Sequence, residues 1–213
     1  MEAKDMKKNP YKGLFIAFEG LDGSGQTTQA NLLKNYFKKQ GLSVVLTKEP
    51  TLDSNAGKKI KKILNKKIEV MPNHLQELFA EDRNWHQKNR VIPALKQGKV
   101  VISDRSQFSS FAFGAASGTN LNYLFSLNDE FIMPDLVILL KTSPKTSIER
   151  IEKRGTEKTL FEKEKQLEKV WSVFEELSKQ FKNIIIVDGE KSIEEIHNQV
   201  KKLWEKYYEN YSR

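Results

Sequence analysis

The sequence contains no cysteine, which excludes a disulfide scaffold, a cysteine nucleophile and any metal site built from thiolates. Histidine is also scarce: the three present are His74, His86 and His197, and their spacing is not that of zinc ligands. We expect them to be surface or helix residues rather than catalysts. Long apolar runs are missing too, because the longest, such as LVILL at 136–140, are far too short to span a bilayer.

The first residues, MEAKDMKKNPYKG, lack the apolar segment of a signal peptide and provide a basic leader over residues 1–12, so we expect a cytoplasmic protein. The whole chain has a net charge of +8, from 36 Lys and Arg against 28 Asp and Glu. Such an excess suits nucleic acid, a membrane surface or phosphate-rich small molecules. Because the lysines are scattered over helical segments and no RNA-binding pattern is present, we predict a phosphate-bearing small molecule as the partner, and neither nucleic acid nor a membrane.

Five short apolar runs recur between longer amphipathic stretches. They are rich in Val, Ile and Leu without alternation, which is typical of strands buried on both faces of a parallel sheet, and they cover residues 14–19, 42–47, 99–104, 135–140 and 183–188. Because helical patterns separate them, the sequence predicts a three-layer α/β fold with a five-stranded parallel sheet flanked by helices. No repeat or linker divides the chain, so we expect a single domain over residues 1–213.

Carboxylates follow the first three apolar runs. Glu19 ends the first run and Asp22 comes soon after it, Glu49 follows the second run, and Asp104 ends the third. Ligands of parallel sheets bind at the carboxyl ends of the strands. The sequence therefore predicts a polar site at this edge of the sheet.

The stretch FEGLDGSGQTTQ, residues 18–29, approximates the phosphate-binding loop G-x-x-x-x-G-K-[ST], with Gln26 where the lysine belongs. It lies between a predicted strand and a predicted helix, where glycines and the helix N-terminus direct backbone N–H groups at phosphate. We predict that this P-loop binds nucleotide phosphates and that the Thr27 hydroxyl binds Mg²⁺. The predicted phosphate-binding residues are Gly20, Leu21, Asp22, Gly23, Ser24, Gly25, Gln26, Thr27 and Thr28.

Six further blocks follow in order: KEPT (48–51), ELFAEDR (77–83), DRSQFSSFAFGAASG (104–118), PDL (134–136), RG (154–155) and VDGEKSIEEIH (187–197). Together with FEGLDGSGQTTQ they are similar to the motifs of the thymidylate kinase family, which belongs to the P-loop nucleoside monophosphate kinases. The resemblance covers nearly the whole chain. It implies that dTMP is phosphorylated with ATP and Mg²⁺, and that the protein is a homodimer.

The helix containing ELFAEDR predicts a base-binding surface. Phe79 and Arg83 are four residues apart and therefore share one helix face. The resemblance implies that they stack on thymine and bind its edge. The alternative is a half-buried core phenylalanine and a surface arginine paired with Glu77 or Asp82.

The segment after the third strand predicts the groups that hold the acceptor. The resemblance implies that Arg105 clamps the acceptor phosphate and that Asp104 contributes to the Mg²⁺ site; the alternative is an internal ion pair. It also implies that Asp22 binds the sugar 3′-hydroxyl. The full set of expected acceptor-binding residues is Asp22, Lys48, Glu49, Phe79, Arg83, Arg105, Ser109 and Phe113.

A charged, glycine-broken segment at about 145–162 resembles the family's helical lid over ATP. We expect Arg150 to act in catalysis and Arg154 to stack on adenine; the alternative for both is an exposed, salt-bridged helix. The expected catalytic residues are therefore Asp22, Gln26, Arg105 and Arg150.

The chain departs from the family pattern in three places. Gln26 is neutral, but its amide can donate to phosphate oxygens. A cation at that point is commonly worth about 10²–10³ in rate, so we expect weaker ATP binding or slower turnover unless another cation supplies the charge. Gly114 stands where the family often has a polar residue that reads the pyrimidine N3 edge, and KEPTLDSNAG (48–57) has one apparent extra residue.

Three functions remain open from the sequence. The first is a dTMP kinase. The second is a related P-loop kinase whose acceptor is another nucleoside monophosphate or a deoxynucleoside, which Gly114 leaves open. The third is a catalytically silent nucleotide-binding protein, although the retained Thr27, Asp104 and Arg105 argue against it.

Overall fold

The computed structural model describes residues 6–153, 161 and 163–211, with side chains as far as Tyr207. Five strands form one parallel sheet in the order β2-β3-β1-β4-β5. Their bounds are β1 Phe15–Gly20, β2 Val44–Lys48, β3 Val100–Asp104, β4 Leu136–Lys141 and β5 Ile184–Asp188. Each lies within two residues of a predicted apolar run, so the predicted α/β fold class is confirmed.

The helices occupy the segments between the strands and the segment after β5. Among the described residues they are α1 Gln26–Lys39, α2 Asn55–Leu64, α3 Pro72–His86, α4 Ile92–Lys96, α5 Gln107–Ala116, α6 Leu121–Ser126, α7 Pro144–Lys153, α8 Glu164–Gln180 and α9 Ile193–Tyr211. A π-helical segment, Gln87–Val91, joins α3 to α4 without a break.

Successive side chains of the central strands point into different apolar layers, as the two-residue period of a strand requires. Ile16 and Phe18 of β1 pack in a cluster with residues of α1 and α9. Ala17, between them, packs on the other face with residues of α5 and α8. Burial on both faces explains the near-continuous apolar runs, and it gives the three layers that the sequence predicts.

The register of the sheet brings the carboxyl ends of three strands together. Phe18 of β1 pairs with Asp104 of β3, and Lys48 of β2 pairs with the same Asp104. The loop after β1, the end of β2 and the segment after β3 therefore meet at one edge, where a parallel sheet places its ligand site.

Across the residues that the structure describes, we find no helix with both the length and the apolar character needed to cross a bilayer.

Candidate active site

The glycine-rich loop connects β1 to α1 through two left-handed glycines. Gly23 has φ of 86° and Gly25 has φ of 97°. A Cβ on Gly23 would lie 2.5 Å from the Ser147 carbonyl oxygen, so glycine lets α7 approach the loop. A Cβ on Gly25 would meet no atom within 4 Å, and within the described chain no side chain caps α1 at this residue. The start of α1 is therefore uncapped and lines a pocket, so the N–H groups of its first turn are available to an anion.

Beside the loop, Asp104 accepts hydrogen bonds from a hydroxyl and an ammonium group. Thr27 Oγ1 donates to Asp104 Oδ2 at 2.5 Å, and Lys48 Nζ donates to the same oxygen at 2.9 Å. The carboxylate is buried, whereas the Lys48 side chain is 58% exposed. A hydroxyl and a carboxylate oxygen thus meet at the first turn of α1, next to a cation that is free to turn outward.

Gln26 is buried and makes two hydrogen bonds to the protein. Its Nε2 donates to the Gly20 carbonyl oxygen at 3.2 Å, and its Oε1 accepts from Arg105 Nη2 at 3.2 Å. The amide that replaces the P-loop lysine therefore fixes the guanidinium of Arg105 beside the loop. The sequence suggests an amide that donates to phosphate, and in the structure its described donor bond goes to Gly20 instead.

Arg105 follows β3 directly and lies at the centre of the site. Its Nη2 also donates to Asp22 Oδ1 at 2.7 Å, and its Nη1 donates to Ser109 Oγ at 2.9 Å. The guanidinium carbon lies 5.1 Å from the ring centroid of Phe113, a cation–π distance. Burial alone would lower the pKa of Arg105, but the carboxylates of Asp22 and Glu19 outweigh burial and raise it, so the residue stays charged.

Two pockets open at this edge of the sheet. The loop pocket surrounds the start of α1 and is lined by Asp22, Gly23, Ser24, Gly25, Gln26, Thr27, Thr28, Gln29, Lys48, Asp104, Arg105, Arg150 and Ile193. The aromatic pocket is lined by Asp22, Lys48, Glu49, Pro50, Leu64, Gln76, Phe79, Arg83, Arg105, Ser106, Ser109, Ser110, Phe113 and Phe161. Three residues line both pockets: Asp22, Lys48 and Arg105. Groups bound in the two pockets would therefore meet across these three side chains.

Most of the residues expected from the sequence line these pockets. All eight expected acceptor-binding residues line the aromatic pocket. The expected phosphate-binding residues from Asp22 to Thr28 line the loop pocket, and so do Asp104 and Arg150. Gly20 contributes its carbonyl to Gln26 and Arg105, and the Leu21 side chain is buried in the core. Arg154 lies outside the described residues.

The comparisons with known proteins cover the part of the chain that contains the site. A model of the family described as thymidylate kinase matches residues 18–200, which include the loop and both pocket walls. The chain belongs to the thymidylate kinase family. Among similar proteins, one from Pyrococcus horikoshii named "Probable thymidylate kinase" is 43% identical over 195 residues, which is 89% of this chain and 94% of the relative. One from Caldicellulosiruptor saccharolyticus named "Thymidylate kinase" is 37% identical over 198 residues, 90% of this chain and 96% of the relative.

In this member of the thymidylate kinase family, Arg83 is held by a buried polar network. The residue is 1% exposed; its Nε donates to Glu49 Oε2 at 2.8 Å, its Nη1 to Asn128 Oδ1 at 2.5 Å and its Nη2 to Ser110 Oγ at 3.0 Å. The alternative of a surface arginine paired with Glu77 or Asp82 is wrong. The partner is Glu49, which reaches the pocket wall from the end of β2.

Asp82, the other carboxylate considered for Arg83, anchors the loop after β2. It accepts from the Thr51 N–H at 2.7 Å, from Thr51 Oγ1 at 2.8 Å and from Ser54 Oγ at 2.5 Å. Ser54 in turn caps α2 by accepting from the Gly57 N–H at 2.8 Å. The KEPTLDSNAG segment, with its apparent extra residue, is therefore fixed to α3 by one buried carboxylate.

His86 is the clearest member of the network that the sequence did not indicate. It is fully buried, with Nδ1 2.9 Å from Glu49 Oε1 and Nε2 2.6 Å from Thr47 Oγ1. Burial would raise the pKa of Glu49, but Arg83 and the hydrogen bond from His86 outweigh it and hold the pKa below its usual range. Our expectation of a surface or helix histidine missed this role. A usable signal was the i, i+3 spacing from Arg83, which places both side chains on one face of α3.

Another buried carboxylate, that of Glu19, lies behind Arg105. Glu19 Oε1 accepts from the Ser106 N–H at 2.7 Å and from Ser106 Oγ at 2.8 Å, and its Oε2 accepts from Ser109 Oγ at 2.6 Å. Arg105 Nη1 is 4.0 Å away. Burial raises the pKa of Glu19 to about 7, against the lowering effects of Arg105 and the serine hydrogen bonds. Glu19 therefore fixes Ser106 and Ser109 by hydrogen bonds, and Ser109 in turn accepts from Arg105. Its raised pKa means that Glu19 titrates near neutral pH.

The predicted lid contributes to both pockets through its described residues. Arg150 of α7 lines the loop pocket, as a lid arginine would. Phe161 lines the aromatic pocket, and its ring centroid lies 5.3 Å from that of Phe113. The segment predicted to be a lid therefore lines the aromatic pocket as well, which the expectation of a lid over ATP did not include.

Proposed function

We propose that this protein is a dTMP kinase. It transfers the γ-phosphoryl group of ATP to the 5′-phosphate of dTMP, so that the bond from the γ-phosphorus to the β–γ bridging oxygen breaks and a bond to a dTMP phosphate oxygen forms. The products are ADP and dTDP. The observation that carries the proposal is the pair of pockets that share Asp22, Lys48 and Arg105, in a chain that belongs to the thymidylate kinase family.

The loop pocket is proposed to bind ATP phosphates. The open first turn of α1 presents N–H groups and a positive helix end to anions. The Thr27 hydroxyl and the Asp104 carboxylate offer the hard oxygen ligands that Mg²⁺ prefers, and Mg²⁺ is commonly held by one or two such groups plus substrate phosphates. Bound there, Mg²⁺ would neutralise charge on the β- and γ-phosphates.

The aromatic pocket is proposed to bind dTMP. Phe79 gives a ring for stacking, and the fixed guanidinium of Arg83 can only donate hydrogen bonds, which suits a carbonyl edge such as thymine O4. Arg105 and Lys48 stand at the wall shared with the loop pocket, where the acceptor phosphate would lie. Asp22 is proposed to accept from the sugar 3′-hydroxyl.

The charge of the missing P-loop lysine is proposed to come from Arg105, supported by Lys48 and Arg150. All three line the loop pocket, and Gln26 binds the Arg105 guanidinium directly. Phosphoryl transfer depends mainly on alignment and on cations that stabilise the transferring group, so a cation held between donor and acceptor can serve both. This arrangement supports an active enzyme over a silent nucleotide-binding protein.

The test is ADP formation from ATP and Mg²⁺ with a panel of nucleotides, using the wild type and Gln26→Lys. We expect turnover in the wild type, greatest with dTMP. Turnover greatest with dCMP, dGMP or a nucleoside would assign another acceptor. No turnover in the wild type, restored by the lysine, would show a silenced site and refute the proposal.

The family resemblance also leads us to propose a homodimer. Size-exclusion chromatography with light scattering measures the mass directly. A mass close to twice that of one chain, 24.7 kDa, supports the dimer, and a mass close to that of one chain rejects it.

A further inference from the structure

Gln76 of α3 has a buried amide oxygen without a protein partner. The residue is 2% exposed, and among the described residues no group donates to its Oε1. Gln29 and Gln107 also have such an oxygen, but neither lines the aromatic pocket, whereas Gln76 does. Buried polar atoms in native structures nearly always have a partner, so this oxygen points to a donor that comes from a ligand.

The position of Gln76 on α3 aligns it with the proposed base-binding residues. Gln76, Phe79 and Arg83 occupy positions i, i+3 and i+7 and therefore lie on one helix face. All three line the aromatic pocket. One face of α3 thus supplies an aromatic ring, a group that can only donate, and an amide with a free acceptor.

The missing side chain at Gly114 makes room for the Gln76 amide. A Cβ on Gly114 would lie 3.0 Å from the Gln76 Cδ and 2.9 Å from both Cδ atoms of Leu124. A larger residue at position 114 would therefore have to occupy the space that the amide and Leu124 now fill. This is the position where the family resemblance led us to expect a polar residue directed at the pyrimidine N3.

We propose that Gln76 is the specificity-determining residue that reads the pyrimidine edge, with its Oε1 accepting a hydrogen bond from the N3–H of thymine. The inference rests on the proposed binding of dTMP in the aromatic pocket. Thymine has an N3–H next to the O4 carbonyl. Gln76 Oε1 would accept from the N3–H, and the N–H groups of Arg83 would donate to O4. Cytosine presents an unprotonated N3 next to an amino group, which reverses both roles.

The test compares the binding of dTMP with that of 3-deaza-dTMP, in which a C–H replaces the N3–H. Isothermal titration calorimetry measures both affinities without turnover. The variant is Gln76→Met, which keeps the length and removes the amide. The matched control is Gln87→Met, because Gln87 is also buried but both of its amide groups bind the backbone of Ile132.

We expect the wild type and Gln87→Met to prefer dTMP by about 10–100-fold, since a site built around a donor rejects an analogue that lacks it. Gln76→Met should prefer dTMP by less than about 3-fold. Its melting temperature should not fall, because no protein hydrogen bond to Oε1 is lost. An unchanged preference in Gln76→Met overturns the inference while the proposed function stands; a wild type that binds no dTMP overturns both.

A swap variant tests the same inference if Gln76→Met does not fold. Gln76→Ala should lose the preference for dTMP, and adding Gly114→Gln should restore part of it by bringing an amide into the same space from α5. A Gln76→Ala protein that discriminates like the wild type would refute the role of Gln76.

Discussion

The two pockets are built in opposite ways, although they share a wall. The charged side chains that line only the aromatic pocket are sequestered: the side chain of Arg83 is 2% exposed and that of Glu49 5%, and both carboxylate oxygens of Glu49 have partners. At the loop pocket, the shared Lys48 has a side chain that is 58% exposed, and the N-terminus of α1 has no side-chain cap among the described residues. The proposed base-binding surface is therefore held rigidly by protein groups, whereas the proposed phosphate site offers an exposed cation and an uncapped helix end to its ligand.

This difference matches what each pocket has to recognise. A neutral base edge is read by a few hydrogen bonds, and these discriminate only if the groups that make them cannot move. Phosphates carry several charges that tolerate varied geometry, so mobile cations and open N–H groups are sufficient to attract them. Arg105 is the exception, because it lies at the loop pocket yet is anchored by Asp22, Ser109 and Gln26.

Arg105→Ala should have the largest effect, because it removes the more firmly anchored of the two cations that line both pockets. We expect phosphorylation of dTMP to fall by about 10³-fold or more in kcat/KM, while ATP still binds. Coupled ADP assays and titration with ATP measure the two quantities separately. Arg90→Ala is the control, since Arg90 pairs with Asp53 on the surface. Full activity in Arg105→Ala would show that the acceptor phosphate is held elsewhere.

His86→Leu should disrupt the preformed pocket. It leaves one oxygen of Glu49 and the Thr47 hydroxyl without their buried partner, so the free energy of unfolding should drop by roughly 2–4 kcal/mol. Urea denaturation measures the loss. The control is His74→Leu, which changes an exposed histidine beside Glu77 and should cost less than about 0.5 kcal/mol. Equal losses in the two variants would contradict the role assigned to the buried network.

Glu19→Gln should change how stability depends on pH. The pKa of Glu19 is raised from 4.5 to about 7, so the folded state favours the protonated form. That contribution to stability is complete below about pH 4.5 and is lost as the pH rises through about 7. Between pH 5 and pH 8 the wild type should lose roughly 2 kcal/mol relative to the variant, whose amide does not titrate. Urea unfolding at both pH values would show a constant difference between the proteins if Glu19 does not titrate in this range.

Gln26→Lys should produce the smallest change, an increase of about 10-fold in kcat/KM for ATP. A lone cation in this position commonly increases the rate by a factor of about 10²–10³, but Arg105 already supplies positive charge beside residue 26. Steady-state kinetics at saturating dTMP test this directly. A gain of 10³ or more would mean that Arg105 does not substitute for the lysine.

The fold and the loop were predictable from the sequence because their signals are local. Strands buried on both faces have near-continuous apolar runs, and the five runs lie within two residues of the strands. A P-loop needs its glycines, its hydroxyl and its helix within ten residues. The aromatic pocket was predicted in part by the spacing of Phe79 and Arg83 on one helix.

The groups that support the site were not predictable in the same way. Glu49 and Asn128 reach Arg83 from the residue after β2 and from the segment after α6, and no periodicity connects positions so far apart in the chain. The space at Gly114 is also a property of the packed helices. The sequence showed that a side chain is absent there, but only the three-dimensional arrangement shows that Gln76 fills its place.

The backbone of Arg105 places two demands on one residue. Its φ of 77° lies in the left-handed region, where any residue but glycine commonly carries strain of about 1–3 kcal/mol. Glycine would adopt this backbone conformation with less strain. It has no guanidinium, however, to pair with the carboxylates of Asp22 and Glu19. A screen of variants for thermal stability alone would therefore tend to replace this arginine. Engineering for stability has to keep Arg105 unchanged if activity is to be retained.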